Sequence, residues 1–290
     1  MKTALSAVLL TLAALTTTLA SPSAEADADG TSRIDNVTLG VIDLTPGDGS
    51  GASYTFNYGD SRLLTYSNTL NNGGSYTQLA VFPAPFSAGQ AVLPASAGPG
   101  TATASTTGAV GNVAATAAAD MSLGVGNYVG AEGYQQVGLT LAPHTLLTVG
   151  GDLFTQARRT LAAGENYAVF SWASVDISDA EGTTSTTLNR ESALRWDDPY
   201  ATEAAREERF LLAFANPGDY ELFVTLSFLA YTDITVTPVD AGGGVAPVPE
   251  PETWATLLAG LLLIGALARR TSGSVPHFGV SADIRTRPHR

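Results

Sequence analysis

Apolar and polar residues alternate in short runs along most of the chain between residues 34 and 231, and turn residues end each run. A period of two predicts strands with one buried face, and short strands at close spacing are typical of a sandwich or barrel. The sequence therefore predicts an all-β protein, a Greek-key or jelly-roll-like β-sandwich. The predicted strands cover residues 34–44, 53–58, 63–70, 75–82, 138–149, 167–177, 209–215 and 220–231.

Two turns carry the clearest strand signals. Asn-Asn-Gly-Gly at residues 71–74 predicts a hairpin between the strands that flank it. Asn-Pro-Gly-Asp at residues 216–219 predicts a tight turn, and Tyr220, which follows it, has the position of a tyrosine corner. Alternation continues beyond this turn and places Leu222, Val224, Leu226 and Phe228 on the same face as Tyr220. It also places Tyr54, Phe56 and Tyr58 on one face.

Other segments have weaker patterns. Residues 83–119 consist almost entirely of Ala, Gly, Thr, Ser and Pro, which predicts a long loop or weakly packed strands of poorly specified register. Residues 200–208 follow an Asp-Pro pair and are rich in Ala, Glu and Arg. That composition favours a short helix or a charged loop.

Each end of the chain carries a further apolar run. Residues 4–19 follow Lys2 and predict a signal peptide, cleaved after Ala20 or Ala26; an uncleaved anchor is the alternative. Residues 254–268 predict an apolar helix about 22 Å long at ~1.5 Å per residue. Trp254 suits the membrane interface, and Arg269 with Arg270 favours the cytoplasmic side for the helix end. The alternative is a buried core helix.

The residues before this helix form a Gly- and Pro-rich segment. Pro249 and Pro251 hold Glu250 on a rigid extended backbone. Together with Trp254, Gly260, Gly265, Arg269 and Arg270, these residues resemble the PEP-CTERM sorting signal. The chain departs from that pattern in continuing beyond the basic pair, through residues 271–290.

The resemblance implies a cellular route. Proteins with this signal are exported by Gram-negative bacteria, and exosortase, a membrane-embedded cysteine transpeptidase-like enzyme, processes them. It implies that Pro249, Glu250 and Pro251 are recognised, that residues 254–268 halt translocation at the inner membrane, and that Arg269 and Arg270 retain the precursor there. The mature form is then expected at the cell surface or outside it, with exopolysaccharide or a biofilm matrix as its setting.

Five segments follow from these patterns. They are a signal peptide at 1–26, a β-sandwich ectodomain at 27–240, a Gly/Pro linker at 241–253, a transmembrane helix at 254–268 and a basic cytoplasmic tail at 269–290.

Composition narrows the functional classes. The chain has 27 acidic and 14 basic residues, a net charge of −13, and no cysteine. An acidic surface repels nucleic acid, so no nucleic-acid partner is expected. The absence of cysteine excludes cysteine catalysis and cysteine-based metal sites, and we expect neither a cofactor nor a bound metal.

The search for catalytic residues favours a non-enzymatic protein. His144 is the one histidine of the predicted ectodomain, and no Gly-x-Ser-x-Gly elbow accompanies it. Trp196, Asp197, Asp198 and Tyr200 combine carboxylates with aromatic rings, as a glycosidase subsite does, or form a solvated acidic loop. Residues 176–182 offer oxygens for a generic cation loop. A glycan-active or carbohydrate-binding protein and an uncleaved bitopic membrane protein stay as alternatives.

Overall fold

A computed structural model of the chain describes residues 28–49, 51–70, 73–160, 165–198 and 200–238. Two short 3₁₀ turns, Ala95–Ala97 and Met121–Leu123, accompany the strands. Within the described residues there are twelve strands: β1 Ala28–Asp43, β2 Tyr54–Asn68, β3 Tyr76–Val81, β4 Gly89–Val92, β5 Thr101–Thr106, β6 Val113–Ala119, β7 Tyr128–Leu141, β8 Thr145–Arg159, β9 Glu165–Asp179, β10 Ser185–Leu194, β11 Glu203–Asn216 and β12 Leu222–Pro238.

The strands form two six-stranded antiparallel sheets that pack face to face. The first sheet has the order β11-β8-β1-β6-β5-β4, and the second has the order β10-β9-β12-β7-β2-β3. This arrangement confirms the all-β expectation and the sandwich architecture; the narrower Greek-key or jelly-roll description stays a prediction. Among the residues that the structure describes, no helix combines the length and the apolar character that a membrane span needs.

The core lies between the two sheets. Alternate residues of the long strands point inward and are fully buried, among them Ile34, Leu147, Val224, Leu226 and Phe228. The alternation along β12 is therefore confirmed for its inner face. Burying such side chains is worth about 1.5–3 kcal/mol each, and the chain has no disulfide that would add to this.

The Ala-rich segment is part of this core. Its strands β5 and β6 pair without a register shift from Thr101↔Ala118 to Thr106↔Val113, and Ala104 and Ala115 are fully buried. Of the two expectations for this segment, the strands are confirmed and the long loop is wrong; the weak packing and poorly specified register expected of those strands are also wrong. Small side chains fit because the opposing sheet comes close: a Cβ on Gly133 of β7 would lie 2.9 Å from the Ala114 carbonyl oxygen.

Three local predictions are also wrong. Residues 138–149 are not one strand, because Pro143 and His144 turn the chain between β7 and β8, and His144 has a φ of 52°. Residues 200–208 form neither the helix nor the loop that was expected, because edge strand β11 begins at Glu203 and pairs with β8. An ion pair between Arg158 and Glu203, at 3.0 Å, supports this pairing. Tyr220 is 84% exposed and is no tyrosine corner.

A β-bulge overturns a fourth expectation, the common face of Tyr54, Phe56 and Tyr58. Phe56 is opposite Leu139 of β7 and Tyr58 is opposite Gly138, so one extra residue separates them. A bulge of this kind moves the following side chains to the other face of the sheet. Tyr58 therefore lies on the outer face of the second sheet, whereas Tyr54 and Phe56 do not share it.

Several predictions fall outside the described residues. These are the signal peptide at 1–26, the linker at 241–253 with Pro249, Glu250 and Pro251, the helix at 254–268 with Trp254, Gly260 and Gly265, and the basic tail at 269–290 with Arg269 and Arg270.

Candidate functional site

Aromatic side chains are concentrated on the outer face of the second sheet. They come from five strands, β2, β3, β7, β9 and β12, and alternate with buried residues that face the core. We call this surface the aromatic face; its rings belong to Tyr58, Tyr66, Tyr76, Tyr128, Tyr134, Phe170, Trp172, Phe223 and Tyr231. Trp172, the largest of them, is 38% exposed.

Two glycines of β7 allow tyrosines of β2 to cross it close to the backbone. A Cβ on Gly130 would lie 2.3 Å from the Tyr66 hydroxyl oxygen, and a Cβ on Gly138 would lie 2.1 Å from Cε1 of Tyr58. No other residue could stand at either position without moving the ring above it. Both rings therefore reach over β7 and meet side chains of β12.

At one end of β7 the Tyr58 ring stacks on Phe223. Their centroids are 6.1 Å apart and their planes differ by 21°. At the other end, Tyr66 packs edge-on against Tyr128 with a centroid distance of 5.9 Å. Such pairs contribute about 0.5–1.5 kcal/mol beyond their buried area, so they hold the rings in place.

The Tyr66 hydroxyl belongs to a small polar cluster. It donates to the Tyr231 hydroxyl at 2.9 Å and lies 3.2 Å from Oδ1 of Asp233. Oδ2 of Asp233 accepts from the Thr235 hydroxyl at 3.0 Å. These groups line an open depression of about 450 Å³ together with Leu64, Tyr76 and Tyr128.

Burial controls the protonation of this cluster. It raises the pKa of Tyr66 and of Tyr231, and the nearby Asp233 carboxylate raises both further. The pKa of Asp233 is also raised by burial, although the hydrogen bonds from Thr235 and Tyr66 work in the opposite direction. The two phenols are therefore neutral donors and acceptors at physiological pH, beside a carboxyl group that gives up its proton less readily than an exposed one.

Arg62 and Glu132 form an ion pair between the two ends of the face. Nε of Arg62 donates to Oε1 of Glu132 at 3.2 Å, and the Arg62 guanidinium lies 5.7 Å from the centroid of the Tyr134 ring. The outer face of the first sheet is different. Its described residues are mainly threonines, alanines and charged groups, with one aromatic ring, that of Phe154, under Arg33.

The residues predicted from the sequence as catalytic candidates do not converge. His144 lies in the β7–β8 turn, as expected for a loop residue, with its Nε2 3.0 Å from Oδ1 of Asp219. Asp197 and Asp198 are exposed in the β10–β11 loop. Of the predicted 176–182 loop, residues 176–179 belong to β9; Asp179 accepts hydrogen bonds from Thr183, which lower its pKa. No group of three or more potential ligands among the described residues could hold a metal ion.

One important residue that holds the β10–β11 loop was not predicted from the sequence. Arg159 is the last residue of β8 and is only 4% exposed. Its guanidinium donates to the carbonyls of Tyr167 at 2.6 Å, Ala201 at 2.8 Å and Arg195 at 3.2 Å, and also to that of Asp198. Burial lowers the pKa of Arg159. It is a structural clamp, and nothing in the local sequence distinguishes it from Arg158.

Comparison with known protein families gives a match at the C-terminal segment of the chain. Residues 247–270 match the PEP-CTERM protein-sorting motif. That match contains the whole set from Pro249 to Arg270 and supports the resemblance at the C-terminal segment alone. It implies an exported, membrane-processed protein and an exosortase-type processing partner.

The β-sandwich lies outside that family match. No curated protein sequence matches the chain. A solved structure titled as the structural basis for the promiscuous specificity of carbohydrate-binding modules from the β-sandwich superfamily aligns over 72% of this chain and 98% of its own, at 7% identity and a TM-score of 0.09. A likeness at that level carries no argument about ligand or activity.

Proposed function

We propose that the chain is an exported, non-enzymatic surface or extracellular-matrix protein, whose β-sandwich is delivered by a C-terminal PEP-CTERM signal. The observation that carries this is the match at residues 247–270, which begins nine positions after the last residue of β12, Pro238. The signal peptide at residues 1–26 starts export, and the mature domain acts at the cell surface, in contact with exopolysaccharide of a biofilm.

The proposed signal works in three steps. The helix at residues 254–268 halts translocation in the inner membrane, and Arg269 with Arg270 retains its end on the cytoplasmic side. At ~22 Å the helix is shorter than a bilayer core of ~30 Å, so it relies on its flanking groups. The exosortase-type enzyme then recognises the rigid Pro249-Glu250-Pro251 segment and releases the domain. The anchor in the inner membrane is therefore transient.

Substitution of Glu250 tests the recognition step. In the producing cells, Glu250→Ala is expected to accumulate as an inner-membrane precursor, because the charge between the two prolines is lost. Glu252→Ala is the matched control, since it removes the same charge two residues later, outside the Pro-Glu-Pro unit. Immunoblots of membrane and surface fractions give the readout. Release of the Glu250→Ala chain at the wild-type rate would contradict recognition through this motif.

A binding role is supported by the state of the polar groups. On the aromatic face, Glu132 is engaged by Arg62, and Asp233 by Thr235 and Tyr66. Such groups present a fixed surface and no free acid–base pair.

The alternative of a glycan-active enzyme depends on Asp197 and Asp198. Replacing both with Asn should leave every glycan phenotype of the cells unchanged; loss of a phenotype with an unchanged thermal midpoint would favour the enzyme.

A further inference from the structure

We propose that the aromatic face is a binding site for an extended, neutral polysaccharide chain. This inference deepens the proposed function, on which it rests, because it names the ligand of the exported domain and the surface that takes it.

The aromatic face is long and follows one strand. Its rings follow β7 from Tyr128 at one end, past Tyr134, to the Tyr58–Phe223 stack beside Gly138. The ten residue steps from Tyr128 to Gly138 correspond to about 33 Å at ~3.3 Å per residue. A compact ligand would use one end only. An extended polymer of repeating rings would contact the face along its whole length.

The aromatic face combines apolar rings with hydrogen-bonding groups. A pyranose ring has C–H groups on its faces and hydroxyl groups at its rim. Trp172 and the tyrosines provide apolar rings with polar tips, and Asp233 and Glu132 provide oxygens that accept hydrogen bonds. Trp172 of β9 is directly opposite Tyr231 of β12, so an exposed indole adjoins the polar cluster. This combination suits a sugar better than a purely apolar ligand.

The Tyr66 and Tyr58 rings are fixed before any ligand binds. The Tyr66 and Tyr58 rings are held over Gly130 and Gly138, and Tyr66 is held by Tyr231 as well. Binding costs about 0.5–1.5 kcal/mol for each flexible side chain that has to be immobilised. Rings that the sheet already fixes avoid most of that cost, which lets the weak contacts to each sugar unit add up along the chain.

Charge selects among polysaccharides. The protein carries a net charge of −13, and the basic residue near the centre of the face, Arg62, is paired with Glu132. A polyanion would meet repulsion without a free cation to offset it. A second copy of the chain would bring the same acidic charge and its own Asp233 and Glu132 to the contact. The neutral polymer is the occupant that this electrostatic arrangement accepts.

Calorimetric titration of the purified full-length chain tests the proposal. A detergent without a sugar headgroup keeps the C-terminal helix soluble and does not compete for the site. The probes are neutral hexasaccharides of glucose, xylose and mannose in β-1,4 linkage, with oligogalacturonate as the anionic comparison. We expect at least one neutral probe to bind and oligogalacturonate not to bind.

Variants locate the site. Trp172→Ala and Tyr134→Ala should each weaken binding roughly tenfold, as loss of a central aromatic contact does. Trp172→Phe should restore part of it and shows whether the ring itself is needed. Phe154→Ala on the first sheet and Trp196→Ala in the β10–β11 loop are the controls, with binding unchanged. Equal thermal midpoints of all variants show that a loss of binding does not come from a loss of folding stability.

Four results would overturn the proposal: binding of no neutral probe, equal binding of oligogalacturonate, loss of binding in Trp196→Ala with Trp172→Ala unaffected, or a Trp172-dependent dimer that excludes the sugar. The titration needs no processing step, so it separates this proposal from sorting. Sugar binding with normal release of Glu250→Ala would refute the sorting account alone, and arrest of Glu250→Ala without sugar binding would refute the site alone.

Discussion

Asp233 is a carboxyl group whose ionisation the fold opposes. Burial raises its pKa above the ordinary value of 3.8, so the folded state prefers the neutral acid. That preference contributes stability which is fully present below pH 3.8 and is lost as the pH rises through the higher folded-state pKa. An asparagine keeps the oxygen that Tyr66 and Thr235 approach and carries no charge.

Asp233→Asn should therefore be more stable than the wild type near pH 7, and the difference should shrink as the pH falls below the ordinary aspartate range. Thermal midpoints across that pH range measure it. Asp152 is the matched control, because hydrogen bonds from Asn36 and Arg209 lower its pKa. Asp152→Asn should lose stability near neutral pH. A less stable Asp233→Asn at pH 7 would show that the carboxylate is favourable where it lies.

Arg159 and Arg158 test how much a buried cation differs from an exposed one. Arg159→Met leaves the carbonyls of Tyr167 and Ala201 without their donor, so we expect a loss of about 3–5 kcal/mol in the free energy of unfolding. Arg158→Met removes an exposed pair with Glu203 and should cost less than ~1 kcal/mol. Urea unfolding of both variants measures these free energies, and equal losses of stability would contradict the role of Arg159 as a clamp.

At the scale of the element, glycines of β7 position the aromatic face. Gly130→Ala adds a Cβ that would lie 2.3 Å from the Tyr66 hydroxyl, so the ring must move and leave Tyr231. We expect a cost of about 1–3 kcal/mol in the free energy of unfolding. Gly150→Ala in β8 is the control, because its Cβ would meet no atom closer than 3.4 Å. A tolerated Gly130→Ala with unchanged near-ultraviolet circular dichroism would show that Tyr66 is not fixed there.

Strand prediction from the sequence succeeded where turn chemistry and alternation agreed. The β2–β3 hairpin, the core of β9 and the inner face of β12 are of this kind. It left β5 and β6 open between a loop and strands, because buried alanines give little hydrophobic contrast. It failed at residues 200–208, where pairing with β8 overrides the helix-forming composition.

The aromatic face itself could not be predicted. Its rings come from strands that are far apart in sequence, and the register that brings Tyr66, Gly130 and Asp233 into one row is a property of the sheet. The bulge between Phe56 and Tyr58 leaves no mark in the alternation. The C-terminal signal is the opposite case, since order and spacing along the chain define it completely.

For the whole molecule, we propose that a C-terminal segment delivers the β-sandwich and is then removed. The acidic charge and the Arg62–Glu132 pair on the aromatic face fit a domain that acts by binding. The alternative is a bitopic protein whose residues 254–268 stay in the membrane. The two differ in the covalent chain of the mature form.

Intact-mass spectrometry of the surface-associated protein measures that chain directly. We predict a mature form that begins after Ala20 or Ala26 and lacks everything beyond the Pro-rich segment, including the helix and Arg269 with Arg270. A surface form that still ends at Arg290 would contradict it.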